Sequence, residues 1–161
     1  MKKVIFIGQA MPRAKRDLHD WPSLNKWLYS IGITDENIKN NFFYSALVDY
    51  FPGSNGGSHK VPTADEIQKE QKRLKETINN FSPDIVVCIG KLSLSYCIQT
   101  KINKLNEYIG KKYFLNPYGL YKENTLVIPL PHPSGASVWH KKQKNINLLN
   151  QSLKLLKKEL F

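Results

Sequence analysis

Cysteine is scarce in this chain: Cys88 and Cys97 are the only two among 161 residues, and they do not form a Cys-x-x-Cys pair. A structural zinc or iron–sulfur centre drawing four thiolates from the chain is thereby excluded. Cys88 lies in the apolar run Ile85-Val86-Val87-Cys88-Ile89, where a buried, reduced thiol is expected, and such usage suits a reducing cytoplasm. Long hydrophobic runs are missing as well. Met1-Lys2-Lys3 could open a signal peptide, but the apolar run Val4 to Ile7 ends at Gly8-Gln9. A secretory h-region needs about 7–15 apolar residues and a membrane span about 20. The chain is therefore expected to be soluble and cytoplasmic, without a membrane partner. There is no internal repeat, and Gly8-Gln9-Ala10 lacks the further glycines of a phosphate-cradling loop. Acidic residues are few: 13 Asp and Glu stand against 24 Lys and Arg, a formal charge of +11. That imbalance points to an anionic partner such as nucleic acid or a membrane surface, the alternative being a lysine-rich surface of compositional origin.

Apolar residues make up 41% of the 161, enough for one core of ordinary size and one domain over 1–161. Three short apolar runs end in Gly or Pro: Val4-Ile5-Phe6-Ile7 before Gly8, Ile85 to Ile89 before Gly90, and Leu126-Val127-Ile128 before Pro129. They read as nearly continuous buried strands, which a parallel sheet covered on both faces requires. A weaker fourth run is Phe42-Phe43-Tyr44-Ser45-Ala46-Leu47-Val48. Helical patterns lie between the strands. The capping box Thr63-Ala64-Asp65-Glu66 opens a segment with Ile67, Leu74, Ile78 and Phe81 on one face, stopped by Ser82-Pro83. Ile146, Leu149, Leu153, Leu156 and Leu160 form the apolar stripe of a C-terminal helix with a basic outer side, and shorter helices are predicted over Ser23 to Ile31 and Ser93 to Gln99. The stretch from Tyr50 to Lys60, rich in Gly and Ser, reads either as a solvated linker or as a mobile lip over a substrate. Strands alternating with helices give βαβ units, hence an α/β/α sandwich with a central four-stranded parallel sheet.

In that architecture ligands sit outside the carboxyl ends of the strands. Gly8 to Pro12 follows the first strand, Ser45 to Asp49 ends the second, Gly90-Lys91 follows the third, and Leu130-Pro131-His132-Pro133-Ser134-Gly135-Ala136-Ser137 follows the fourth. The last of these holds a histidine between two prolines, which fix φ and resist helix or sheet, in a turn suited to presenting a side chain. A Gly-Gln-Ala-x-Pro turn after the first strand and a His-Pro-Ser turn after the last, in that order, resemble the two signature motifs of the uracil-DNA glycosylase superfamily. The resemblance runs from Val4 to Ala10 through Pro62 to Ile67 and Pro83 to Gly90 to Leu130-Pro131-His132-Pro133-Ser134-Gly135.

What the resemblance implies is hydrolysis of the bond between a damaged base and its deoxyribose. Such chemistry needs a flipped base in a fitted pocket, stabilisation of the negative charge on the departing base and a placed water. His132 takes the place of the family histidine that reaches an oxygen of the departing base, with Pro133 and Ser134 fixing its direction. Gly135-Ala136-Ser137-Val138-Trp139 would lie against DNA, with Trp139 either a wedge in the vacated stack or a core residue. Gly8 to Pro12 corresponds to the water-binding loop. Its third position, Asp or Asn in the branches most efficient on uracil, is Ala10, so backbone groups of Gln9 and Ala10, or the carboxylates of Asp17 and Asp20, are the candidates for holding the water. Met11 separates Ala10 from Pro12, where the family usually has Pro directly after the third position. Trp21, Phe43 and Tyr44 are the aromatic candidates for stacking the base, a core position being the alternative for Phe43, Ser45 stands roughly where the family has a uracil-selecting Asn, and Gly90 and Lys91 complete the sheet edge. The resemblance is to a divergent, metal-free member with no cofactor, acting as a monomer on DNA containing a damaged base and needing no obligate protein partner. The function expected is a DNA-repair glycosylase acting on a deaminated base, uracil foremost. The alternatives are a catalytically silent nucleic-acid-binding relative and a nucleoside or nucleotide hydrolase using the same crevice.

Overall fold

A computed structural model describes residues 1–12, 21–56, 58–133 and 138–161. In chain order the elements are β1 (Val4–Ala10), α1 (Pro22–Ser30), α2 (Asp35–Asn41), β2 (Phe42–Val48), β3 (Ser54–Asn55), β4 (Ser58–His59), α3 (Ala64–Lys69), α4 (Gln71–Phe81), β5 (Ile85–Ile89), α5 (Gly90–Ile98), β6 (Tyr113–Leu115), β7 (Thr125–Leu130) and α6 (Gln143–Leu160). The main sheet has the order β2-β1-β5-β7-β6. The four strands expected from the apolar runs are β2, β1, β5 and β7, each parallel to its neighbours. The four-stranded expectation is corrected to five strands among the described residues, because β6 pairs antiparallel with β7 from Tyr113↔Val127 to Leu115↔Thr125. A strand of three residues is too short to show a period, and it closes an edge that β7 would otherwise leave open.

Because successive strand residues point to opposite faces, the sheet separates two cores. Val4 and Phe6 of β1, Val87 of β5 and Ile128 of β7 pack with Leu24 and Leu28 of α1, Ile38 of α2 and the stripe Leu149, Leu153, Leu156 and Leu160 of α6. Ile5 and Ile7, Val86 and Cys88, and Val127 pack with Ile67 of α3, Leu74 and Ile78 of α4, and Leu94 and Cys97 of α5. Helices on both faces of a mostly parallel sheet are the α/β/α layering that the sequence pattern requires. Lys144, Lys154, Lys157 and Lys158 lie on the exposed side of α6.

The Thr63 capping box forms: Thr63 Oγ1 accepts from the Glu66 amide at 3.2 Å, and Glu66 Oε1 accepts from the Thr63 amide at 3.1 Å. The single helix expected from there to Phe81 is divided at Glu70, whose carboxylate accepts from the Asp49 amide at 2.7 Å and so ties the break to the end of β2. Helix α2 opens on a second reciprocal box, in which Thr34 Oγ1 accepts from the Asn37 amide at 3.2 Å and Asn37 Oδ1 from the Thr34 amide at 2.9 Å. Asn in place of Glu or Gln at the third position hid this helix from the sequence pattern. The Gly/Ser stretch after β2 is not wholly irregular, since β3 and β4 pair as a small antiparallel hairpin.

β1 continues beyond its apolar run. Gly8 pairs with Ala46 and Ala10 with Val48, so Gly8, Gln9 and Ala10, read as a turn, belong to the strand, and the chain turns away only at Met11-Pro12. The reason is continued pairing with β2, whose partner residues remain available to the end of that strand. On the other face, Ser93 of α5 ties the helix to this strand. Its hydroxyl, fully buried, donates to the Ile7 carbonyl at 2.6 Å. With that hydrogen committed, the Tyr118 hydroxyl is the donor in the 2.7 Å bond between Tyr118 and Ser93.

Candidate active site

The carboxyl end of β1 and the segment after β7 meet Tyr44 of β2 at a cleft of about 280 Å³, lined by Gln9, Ala10, Met11, Pro12, Trp21, Tyr44, Phe51, Pro52, His59, Lys60 and His132. Its size is near the lower end of the roughly 300–1,000 Å³ common for small-ligand sites. Three rings form one wall. Trp21 meets Tyr44 edge-on at 4.7 Å between centroids, and its other contact is the His132 imidazole at 5.6 Å. Phe51 and His59, also lining the cleft, meet edge-on at 5.1 Å. Polar groups are few: Gln9, His59, Lys60 and His132.

A second recess shares Gln9, His59 and His132 with the first and continues to Gly90, Lys91, Leu92 and Lys101. Gly90 has φ +87°, and a Cβ there would lie 3.8 Å from His132 Cβ. Glycine therefore supplies the left-handed backbone with which the chain leaves β5 and starts α5. The first turn of α5 has no side-chain cap and no acidic residue, so its amide groups add positive potential beside Lys91.

His132 sits between the buried residues Pro131 and Pro133, with its own side chain reaching solvent. Protein packed around the ring pushes its pKa below the ordinary histidine value, and the positive charges available to His140 and His59 push it further in the same direction. A neutral imidazole with an N–H donor is the form this favours at neutral pH. Its main-chain carbonyl is bonded to the Nε2 of His140 at 2.8 Å. The Tyr44 phenol, mostly buried, has its pKa pushed up by burial and remains a neutral hydroxyl. That hydroxyl explains Gly8: a Cβ at position 8 would lie 2.9 Å from Tyr44 Oη.

The residues expected at this edge divide sharply. Gln9, Ala10, Pro12, Gly90, Lys91 and His132 line the two recesses, and Pro133 is buried beside the last in sequence. Ser45 does not join them. It faces α4, where its Oγ accepts from Arg73 Nη1 at 3.1 Å, and the same guanidinium donates from Nη2 to the carbonyls of Ala46 at 2.8 Å and Leu47 at 3.2 Å. Strand alternation therefore gives the cleft Tyr44, one residue earlier, in place of Ser45. Phe43 is likewise corrected: it pairs with Ile5 near the amino end of the strands and packs on Phe81 at 5.5 Å, away from the cleft. Trp139 is packed against the core, with Nε1 donating to Asn106 Oδ1 at 3.1 Å and its carbonyl accepting from Asn145 at 2.8 Å. This corresponds to the core alternative and not to a free wedge. Asp17, Asp20, Ser134, Gly135 and Ser137 lie outside the described residues.

Sequence reasoning missed His59 and Lys60. The signal was the Asn55-Gly56-Gly57 run, a hairpin-turn sequence, and the β3–β4 hairpin places both residues over the cleft. Cys88 and Cys97, the chain's two cysteines, are both buried in the core under α5. They offer no iron–sulfur ligand set.

The model of the uracil DNA glycosylase superfamily matches residues 1–157. A type-4 uracil-DNA glycosylase of Saccharolobus solfataricus is 30% identical over 145 residues, which cover 83% of this chain and 62% of that protein. The chain thus spans less than two thirds of that relative's length. A match over nearly the whole sequence, on a sheet whose carboxyl edge brings the first-strand and last-strand motifs to one cleft, makes the chain a member of the uracil-DNA glycosylase superfamily.

Proposed function

We propose that this protein is a DNA glycosylase that hydrolyses the N-glycosidic bond of a deaminated base, uracil foremost, after the nucleotide is turned out of the helix. The observation that carries the reading is the position of His132 in an aromatic-lined cleft, where it lines both recesses together with Gln9 of β1. The base enters between Trp21, Tyr44 and Phe51, where burial of its faces offsets part of the cost of unstacking. Water attacks the anomeric carbon while the carbon–nitrogen bond breaks and its electron pair stays with the base. His132 donates a hydrogen bond to the oxygen on which that charge collects, and one such oriented donor is worth about 10²–10³ in rate. The side chain of Ala10 carries no group able to hold the water. Gln9 and His59 line both recesses with His132, and they are the side chains that hold it, with the His59 imidazole accepting its proton. Lys60, Lys91 and Lys101 meet the phosphates, which supports salt-sensitive binding.

The test is incubation of purified protein with single-stranded and duplex oligonucleotides containing uracil, hypoxanthine or xanthine, followed by alkali to break abasic sites. Strand breakage that falls about 10²–10³-fold in His132→Ala, which removes the donor, supports the reading. Folded protein that releases no base from any substrate refutes it. The alanine at position 10 favours one second reading, a silent member that binds DNA without cleaving it; salt-sensitive binding without base release, in which His132→Ala causes no more than a modest affinity loss, is its mark.

A further inference from the structure

Pro131 and Pro133 have no amide hydrogen to donate, which leaves the His132 peptide as the donor-bearing unit between them. Its carbonyl is bonded from outside, by His140 Nε2 at 2.8 Å. A carbonyl only accepts, so the hydrogen is on His140 Nε2, which specifies the tautomer of that ring. The His140 ring is itself held by two tryptophans: Trp27 of α1 at 5.6 Å and Trp139 at 5.3 Å, the latter edge-on at 80°. Trp139 in turn is fixed through Asn106 and Asn145, which bond to each other at 2.6 Å. A chain of packed and bonded groups thus runs from the start of α6 to the back of the His132 turn.

We propose that His140 is a positioning residue for His132, its Nε2–H holding the His132 carbonyl so that the imidazole is presented to the cleft. This rests on the reading of His132 as the group that stabilises the departing base. A positive charge on the His140 ring opposes one on His132. Other groups that bear on His132 are His59 and Lys60 from the hairpin, Lys91 from the start of α5, and Lys101 after it.

Two variants separate the bond from the packing. His140→Phe retains an aromatic ring between the tryptophans and loses the donor, whereas His140→Gln keeps a neutral amide donor. Steady-state kcat and KM on uracil-containing DNA are measured for each, along with the titration of the His132 imidazole by NMR in the free protein. The expected result is a kcat about tenfold lower in His140→Phe, the worth of one such bond, with KM within twofold of the original. His140→Gln recovers most of that loss. Both variants show His132 titrating at a higher pH, because the neighbouring positive charge is gone. Unchanged kcat in His140→Phe, or a loss in His140→Gln as large as that in His140→Phe, overturns the proposal. If the unaltered protein releases no base at all, the glycosylase reading fails, and the proposal then stands or falls on the free-protein spectra. A His132 titration and ring environment unchanged in His140→Phe overturn it, whereas a shift upward in both variants supports it.

Discussion

Gly8 offers a direct test of how the cleft is built, because the obstacle to a side chain there is a single atom. A Cβ at position 8 would meet Tyr44 Oη at 2.9 Å, but Cε2 and Cζ of the same ring at 3.7 Å, an ordinary contact distance. The hydroxyl cannot simply swing away, since Tyr44 is buried and its ring is pressed edge-on against Trp21. Overpacking of this kind costs about 1–3 kcal/mol. Against it stands the lower chain entropy of alanine in the unfolded state, worth about 0.4–1 kcal/mol where the backbone is compatible. Position 8 lies in a paired strand with no left-handed φ, so that compensation applies in full. Gly8→Ala is therefore expected to destabilise by about 1–2 kcal/mol net. In a Tyr44→Phe background the close contact disappears, and the same substitution becomes neutral or stabilising by up to about 1 kcal/mol. Urea unfolding of the four proteins of the cycle, compared at a common slope, gives the coupling. Equal destabilisation by Gly8→Ala in both backgrounds would show that the Tyr44 hydroxyl is not what reserves this position for glycine.

The lowered pKa of His132 has a definite sign. Its folded value lies below its unfolded one of about 6.5, so as pH falls the unfolded chain takes up this proton first, and stability declines from about pH 6.5 until the folded value is passed. NMR titration of His132 above 6.5 would contradict it. Ser93→Ala removes the acceptor of the buried Tyr118 hydroxyl and the hydroxyl that donates to the Ile7 carbonyl; a loss of about 1–3 kcal/mol in urea unfolding is expected, and a change under 0.5 kcal/mol would show that water or a shifted side chain replaces the bonds. His59→Ala is expected to lower the single-turnover rate of base release by about 10²-fold, and an unaltered rate would remove it from the water-holding role.

Much of the fold was legible because buried parallel strands write themselves as short apolar runs. Ile85 to Ile89 and Leu126 to Leu130 are β5 and β7 with little adjustment. What escaped was structure set by pairing partners. β6 has three residues and exists because β7 offers an edge, and β1 extends through Gly8 to Ala10 because β2 continues beside it. The site was legible to the extent that strand ends determine it, which placed Gln9, Ala10, Gly90, Lys91 and His132 at one edge. It failed where the answer depended on which face a residue takes. Ser45 and Tyr44 are adjacent, and only the Arg73 guanidinium behind the sheet decides that serine turns away and tyrosine turns in. His59 was hidden for another reason, since a two-residue strand carries no pattern and its place over the cleft comes from the hairpin.

The three tryptophans of this chain all lie against histidines of the cleft region: Trp21 against His132, and Trp27 and Trp139 against His140. Indole emission is quenched by a nearby imidazolium and altered by stacked bases. The intrinsic fluorescence of the whole molecule is therefore concentrated where its proposed chemistry takes place, with no indole elsewhere to supply background. Changes in protonation or occupancy of the cleft can be followed optically in the unlabelled protein, in real time and without altering a residue.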